Sequence, residues 1–399
     1  MSVGLISSAS APQNLNAISF ASAITRIMPN GTAPLFGLTS LLQDETATNI
    51  EHGYFSKAMI FPSLTSTSGD LVGATTLTVN AYTHIVSGDL LLNERTNEIM
   101  LVTGTPTGTT VTVQRAVGTT VAAALNAGDT LRTIGNAFEQ GSVRPNAVNI
   151  IAARYVNNTQ IFRNSWAVTK TAAAIPQIAG AGHVSESKQD CAALHAMAIE
   201  KALFFGERFM GTRNGQPFHT MEGIIPRVRT AAAGNVTTLG ATTNWTQFEA
   251  ALDVTLQTVT DPKGGNIRTM FVGGTARRVI HNIARLNSSY QITTAETAWG
   301  MQLDTIRTPR GTFEIIEHPL FNAYGASSMW ARMAVICDLN AFSLAYLRKT
   351  SDANYNAAGA IVDQGVDAEG GTLTTELTCV IKNPAAFGVI TNFTAAAAG

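Results

Sequence analysis

Read for the spacing of apolar and polar positions, the chain changes texture several times. Residues 185–208 carry the strongest helical period. Cys191, Leu194, His195, Ala198, Ala202, Phe205 and Phe209 fall on one stripe, with Gln189, Glu200 and Glu207 roughly opposite. Ser187 followed by Asp190 has the form of a capping box, and Gly206 and Gly211 are the first breakers beyond it. The spacing predicts a spine helix of about six turns, roughly 30 Å long.

Ahead of the spine the pattern is strand-like. From 67 to 138, short β-runs at 75–79, 90–92, 98–102, 110–113 and 131–134 are separated by turns at Ser68-Gly69-Asp70, Ser87-Gly88-Asp89 and Ala127-Gly128-Asp129. Five such strands predict a small sandwich or barrel, carried as an insert at the end of a long hairpin. Residues 147–169, with Ile150-Ile151 and Gln160-Ile161-Phe162, read as further strand, 171–182 as a connector, and 211–223 as a polar loop.

After the spine, strand and helix alternate. Asn244 caps a helix over 245–259, closed by Asp261-Pro262 and Gly264-Gly265. A short buried strand at 269–272 turns at Gly273-Gly274 into a helix capped by Thr275 and reaching about Leu286. Strands follow at 313–317, 334–337 and 342–347. The closing strand puts Leu373, Leu377, Cys379 and Ile381 on one side and Thr374, Glu376, Thr378 and Lys382 on the other. The fold class is α+β.

Composition adds one strong constraint. Of 399 residues only 13% are charged, about half the usual level, and Thr, Asn, Ser, Gly and Ala make up the balance. A chain this long with so few charges covers much of its surface with neighbours, which predicts an assembly protein. A net charge of −1 leaves no basic stripe for dedicated nucleic-acid binding. No apolar run is long enough to cross a bilayer, so no membrane is expected, and no apolar segment flanked by basic residues marks a secretory signal before Arg26. Cys191, Cys337 and Cys379 lack paired spacing and read as small core residues of a reducing compartment. Residues 1–48, poor in charge and in apolar clusters, cannot order themselves alone and read as an arm.

No catalytic, metal or cofactor constellation emerges. The seven histidines lack helical zinc spacing, and His195 reads as a satisfied core residue. Gly180-Ala181-Gly182 lacks the Lys-Ser/Thr pair of a phosphate loop, and no Gly-x-Ser-x-Gly elbow occurs. Asp44-Glu45 and Glu51 lie where nothing is expected to hold a carboxylate pair. Arg227/Arg229 and Arg277/Arg278 read as a solvated face or inter-subunit ion pairs.

The order of arm, long hairpin, spine helix, central α/β portion and closing strand resembles the major capsid protein of tailed bacteriophages, the HK97-like fold. The texture is closest to a subgroup with a β-rich insert in the hairpin, or E-loop. It is similar at Thr32-Ala33-Pro34-Leu35-Phe36, Asn97-Glu98, Val111-Thr112-Val113-Gln114-Arg115, Ala137-Phe138-Glu139-Gln140-Gly141-Ser142 and Asn158-Thr159-Gln160-Ile161-Phe162. The resemblance implies an N-terminal arm at 1–48 and an E-loop at 49–170 with its β domain at about 64–136. A P-domain follows at 171–222, with the spine at 187–208, then an A-domain at 223–345 and P-domain return strands at 346–399. It implies a non-enzymatic shell protein that encloses double-stranded DNA in an icosahedral head. Expected inter-subunit contacts are Pro34, Leu35, Phe36, Tyr54, Phe55, Arg95, Glu98, Arg115, Glu139, Arg144, Arg227 and Arg229. Expected partners are further copies in hexamers and pentamers, a portal protein, scaffolding and decoration proteins separate from the chain, and packaged DNA held only non-specifically. The expected location is the virion, after assembly in the host bacterial cytoplasm. Some capsids of this fold lock neighbours with an isopeptide bond from a hairpin lysine. Here no lysine lies between Lys57 and Lys170, which predicts a shell held by non-covalent contacts. Two rival readings are a cellular nanocompartment shell of the same fold and a secreted β-rich glycan-binding or hydrolytic protein.

Overall fold

The computed structural model describes residues 34–39, 44–57, 59–80, 84–177, 182–258, 266–286, 293–298, 301–356 and 367–397. Most of the arm, the Gly180-Ala181 pair and the breakers at 261–265 lie outside the described residues. The chain divides into two compact units, one made of Phe55–Tyr155 and the other of the chain on either side of it.

Among the described residues the inserted unit contains a six-stranded sheet where five strands were expected. In spatial order they are Ser63–Thr65, Thr130–Asn136, Asp89–Asn93, Ile99–Val102, Thr110–Gln114 and Thr76–Thr78, every neighbouring pair antiparallel. The first and last also meet. Ser66 bridges Val79, the Thr67 amide donates to the Thr78 carbonyl (2.9 Å), and the Asn80 amide donates to the Thr65 carbonyl (3.0 Å). The sheet is thus closed into a small barrel with no free edge. Alternate residues point inward, so Leu64, Leu77, Val79, Leu91, Met100, Val102, Val111, Val113 and Leu131 fill the interior. The three-residue strand at 63–65 is too short to show a period, which is why the pattern missed it. Two of the Gly-Asp turns share one geometry. Asp89 and Asp129 each accept the amide three residues back, from Val86 (2.8 Å) and Asn126 (3.0 Å). Gly88 and Gly128 ahead of them have φ of 96° and 94°.

Among the described residues the larger unit holds two main sheets and two smaller pairs of strands. A four-stranded sheet orders Glu45–Thr46, Phe342–Tyr355, Ala368–Ile381 and Gln160–Thr169. A mixed seven-stranded sheet orders Val236–Thr238, Gly388–Thr391, Ala334–Cys337, Ile267–Val272, Gly311–Glu317, Met301–Thr308 and Thr293–Ala298. One core cluster joins Ile199, Leu203 and Phe204 of the spine to Leu35, Phe271, Phe321, Leu377, Cys379 and Ile381. A second joins helices Trp245–Asp253 and Gly274–Leu286 to the seven-stranded sheet through Phe248, Val279, Ile280, Ile283, Met270 and Phe313. Asn244 and Gln247 form a capping box, but the helix ends at Asp253 and tightens into a 3₁₀ turn over Val254–Leu256.

Several expectations need correction. The spine is His183–Phe205, so Ser187 lies inside it and forms no cap; the N-cap is Gly182, without a side-chain bond. Its buried residues are Cys191, His195, Ile199, Glu200, Leu203 and Phe204, while Leu194 is exposed. The face is rotated because the second half of the helix packs on Phe271 and Phe321 and draws Glu200 inward. Residues 211–223 are not a loop: Phe209–Arg213 and Gln216–Thr220 form a hairpin turned at Asn214-Gly215, with φ of 53° and 75°. Ile150-Ile151 lie outside any strand, which starts at Ala153. The strand expected at 342–347 runs on to Tyr355, and the closing strand starts at Ala368. The closing strand is buried on both faces, because Leu377, Cys379 and Ile381 join the spine's cluster on one and Val380 packs with Ala47 and Ala345 on the other. Glu376 is paired instead of solvated, accepting from Arg348 (2.7 Å) and Thr159 (3.1 Å).

Candidate assembly surfaces and the docking of the first helix

Pro34–Thr39 forms a short helix, and the structure places it against the chain's own spine. Leu35 is 0% exposed. The Leu35 and Phe36 amides donate to the two carboxylate oxygens of Glu200, at 2.8 Å each. His318 Nε2 lies 2.7 Å from the same carboxylate, and both Glu200 and His318 are 0% exposed. Since a carboxylate only accepts, Nε2 carries the proton. The imidazole is enclosed by Phe204, Phe271 and Phe321, at ring-centroid distances of 5.0, 5.9 and 4.4 Å, and its Nδ1 has no hydrogen-bond partner among the described residues. Sequence reasoning set Glu200 on the polar side of the spine. The signal it lacked was its partners, two amides and an imidazole more than a hundred residues away.

Residues 44–47 are anchored as well. Glu45–Thr46 pairs in parallel with Ala345-Tyr346. Glu45 is bound by Ser343 Oγ (2.8 Å), Lys382 Nζ (2.8 Å) and His52 Nε2 (3.2 Å). Burial works against the charge on Glu45, but the hydrogen bonds from Lys382, Ser343 and His52 overcome it and bring the pKa down to about 2. The expectation that nothing holds this carboxylate is therefore corrected. Tyr54 donates from its hydroxyl to the Ile381 carbonyl.

Within the barrel unit the structure brings Arg115 onto Glu98 and Arg95 onto Asp129. Glu98 is 0% exposed and accepts Arg115 Nε (2.7 Å) and Nη2 (2.6 Å), with the amides of Ala123 (3.1 Å) and Ala116 (3.2 Å). Burial opposes this charge too, and the bonds from Arg115 and the Ala123 amide hold the carboxyl below its ordinary range. Arg115 also donates to the Leu71 and Ala74 carbonyls (3.4 and 3.3 Å), so one ion pair ties three loops together. Arg95 makes a two-pronged pair with Asp129 (2.7 and 2.8 Å). These four residues are braces of their own unit.

The other expected contacts differ. Glu139 and Arg144 are exposed on 137–152, a stretch with no regular structure beyond one turn. Phe55 is 72% exposed. Arg229 makes an exposed pair with Glu207 (2.6 Å), and Arg227 lies 3.8 Å from Glu222. Arg277 is spent inside its own chain between Asp304 (2.7 Å) and Glu317 (2.9 Å), contrary to the solvated or inter-subunit reading. His195 is a core residue held by Asn164 (2.9 Å) and Thr375 (2.8 Å), its pKa pushed down by burial. All three cysteines are buried, and burial raises Cys379 to about 12.

Exposed apolar side chains that sequence reasoning did not assign to an interface flank the barrel along the chain. Met59 and Phe61 precede it, and Phe138, Val143, Val148 and Ile151 follow it; Phe61, Val143 and Ile151 are 83, 91 and 88% exposed. Among the described residues no group of three or more His, Cys, Asp or Glu could hold a metal, and no helix is long and apolar enough to cross a membrane.

Comparison with known proteins gives a consistent result. The family model described as SU10 major capsid protein matches residues 7–394. A major capsid protein of Pseudomonas phage PaMx41 is 39% identical over 402 residues, covering 97% of this chain and 95% of that one. Among solved structures, the capsid of a native GTA particle aligns with a TM-score of 0.50 at 9% identity, over 99% of this chain and 100% of that one. A structure from Mycobacterium phage Cain aligns with a TM-score of 0.48 at 9% identity, over 95% and 93%.

Proposed function

The chain belongs to the SU10 major capsid protein family, and from that premise we propose how its surfaces build the shell. It is a phage major capsid protein with the HK97-like fold, a structural component of the virion capsid that assembles with further copies of itself. That relationship favours the phage head over the nanocompartment and secreted readings.

In the proposed assembly, residues 1–48 act as the arm and 49–170 as the E-loop. Residues 171–222 and 346–399 make the P-domain, and 223–345 the A-domain at capsomer centres. Copies associate as hexamers and pentamers of an icosahedral head, built in the host cytoplasm and filled with double-stranded DNA that the shell touches non-specifically. A portal protein and separate scaffolding and decoration proteins are the remaining partners. The role is binding, without catalysis.

The observation that carries this reading is the exposed apolar side chains on the two legs of the hairpin. Phe55, Met59 and Phe61 lie on one leg, and Phe138, Val143, Val148 and Ile151 on the other. A soluble monomer rarely leaves so much apolar surface to water. Fully burying one such side chain is worth about 1.5–3 kcal/mol, and modest contacts repeated around a shell add through multivalency. The leg residues, with exposed Glu139 and Arg144, are therefore the proposed contacts to the neighbouring subunit. The double variant Phe61→Ser, Ile151→Ser tests this. Both positions are exposed, so the subunit should keep its circular dichroism and melting temperature while particle yield falls at least tenfold by sedimentation. Wild-type yield from the variant would refute the assignment.

A further inference from the structure

We propose that Glu200 is the positioning residue for the N-terminal arm: its carboxylate fixes the place and register of Pro34–Thr39, and His318 holds that carboxylate in place. The inference rests on reading residues 1–48 as an arm that governs assembly.

A six-residue helix is too short to be stable on its own in water. An oxygen that accepts the free amides at a helix start normally comes from the residue just before the helix. Here it comes from a side chain 165 positions away. Both carboxylate oxygens are occupied, one by Leu35 and His318 and the other by Phe36. The helix therefore docks only on a subunit whose spine and His318 are already in place. The arrangement also has one orientation. A carboxylate with three fixed donors accepts them in a single geometry, whereas the apolar contacts of Leu35 alone would tolerate sliding. A buried carboxylate is costly to keep, and fixing a register is the use that best repays it. The imidazole is itself immobile between three phenylalanine rings, so the carboxylate has no freedom to follow a displaced helix.

The test is hydrogen exchange by mass spectrometry on the full-length subunit, with negative-stain images of the assembled particles. Glu200→Gln keeps the shape but turns a donor toward an amide or imidazole N–H. Peptide 34–39 should then exchange about tenfold or more faster, the factor expected from losing a hydrogen bond to a charged group. Spine peptides within 191–203 should be unchanged, and closed particles of wild-type size should be lost. His318→Phe keeps the ring packing, removes one donor and should accelerate the same peptide by a smaller factor. A purely structural role would spread the acceleration across the spine, and that result overturns the proposal. Unchanged exchange at 34–39 overturns it through the docking contact. Local acceleration with normal particles overturns it through the arm reading. If Glu200→Gln yields no soluble subunit, Glu200→Asp, which withdraws the carboxylate by one methylene, is judged by the same readouts.

Discussion

Arg115→Ala should destabilise the barrel unit more than any substitution on its surface. The wild-type side chain covers a carboxylate with no solvent exposure and supplies two of its four donors, at 2.6 and 2.7 Å. After truncation Glu98 retains only the Ala116 and Ala123 amides and faces no counter-charge. Breaking one side of a buried pair costs about 3–5 kcal/mol, against roughly 5–15 kcal/mol for the whole stability of a domain of about a hundred residues. At least about a fifth of the unit's stability should go. Limited proteolysis across a urea series should show cleavage within 55–155 at lower urea than in wild type, while peptides from the larger unit stay protected. Removing both charges, as Glu98→Gln with Arg115→Met, should recover most of the loss, because the penalty lies in the unpaired ion. The effect also has a sign in pH. The Glu98 carboxyl is held below its ordinary range, so the pair stabilises fully above that range and progressively less as the pH falls through it. An Arg115→Ala unit within 1 kcal/mol of wild type, or a double variant no better than the single, would refute the reasoning.

Three further outcomes are expected. A fragment of residues 60–138 should fold alone, because the barrel has its own core and no free edge; a random-coil circular dichroism spectrum would count against this. Glu45, with its pKa brought down to about 2 from 4.5, should anchor residues 45–46 fully above about pH 4.5 and release them as the pH falls toward 2. Lys382→Met should move that titration up in a carboxyl NMR experiment, and an unmoved titration would contradict the network drawn. Particles boiled in SDS should run as one monomer band, since the hairpin has no lysine between Lys57 and Lys170; a ladder of covalent oligomers would contradict it.

What could be read from the sequence followed local rules. The spine, the Asn244 cap, the strand at Ala334–Cys337 and five barrel strands all announce themselves through periodicity or turn residues within a few positions. What escaped depends on distant partners. Glu200 looks like a solvent-facing residue on any helical projection and is buried only because Leu35, Phe36 and His318 arrive from elsewhere. Glu376 and Thr378 look like the wet face of a strand, yet both are buried, because what covers that face comes from distant parts of the chain. Glu98 and Arg115 are expected from the sequence at an inter-subunit contact, and the structure pairs them with each other inside their unit, because a buried brace and an interface contact carry the same sequence signature. The hairpin at Asn214-Gly215 was the one avoidable miss, since that dipeptide is a strong turn signal.

The way the barrel closes has a consequence for how such a chain can change over time. Ser63 and Arg132 are register partners, so the inserted polypeptide begins and ends at neighbouring points. To the surrounding chain, some seventy residues are then topologically equivalent to a tight turn, and loop-closure entropy hardly registers whether they are present or absent. A lineage could acquire or lose the barrel in one genetic event, and another module with adjacent termini could be grafted in its place. The same property makes this junction a natural point for displaying a foreign domain.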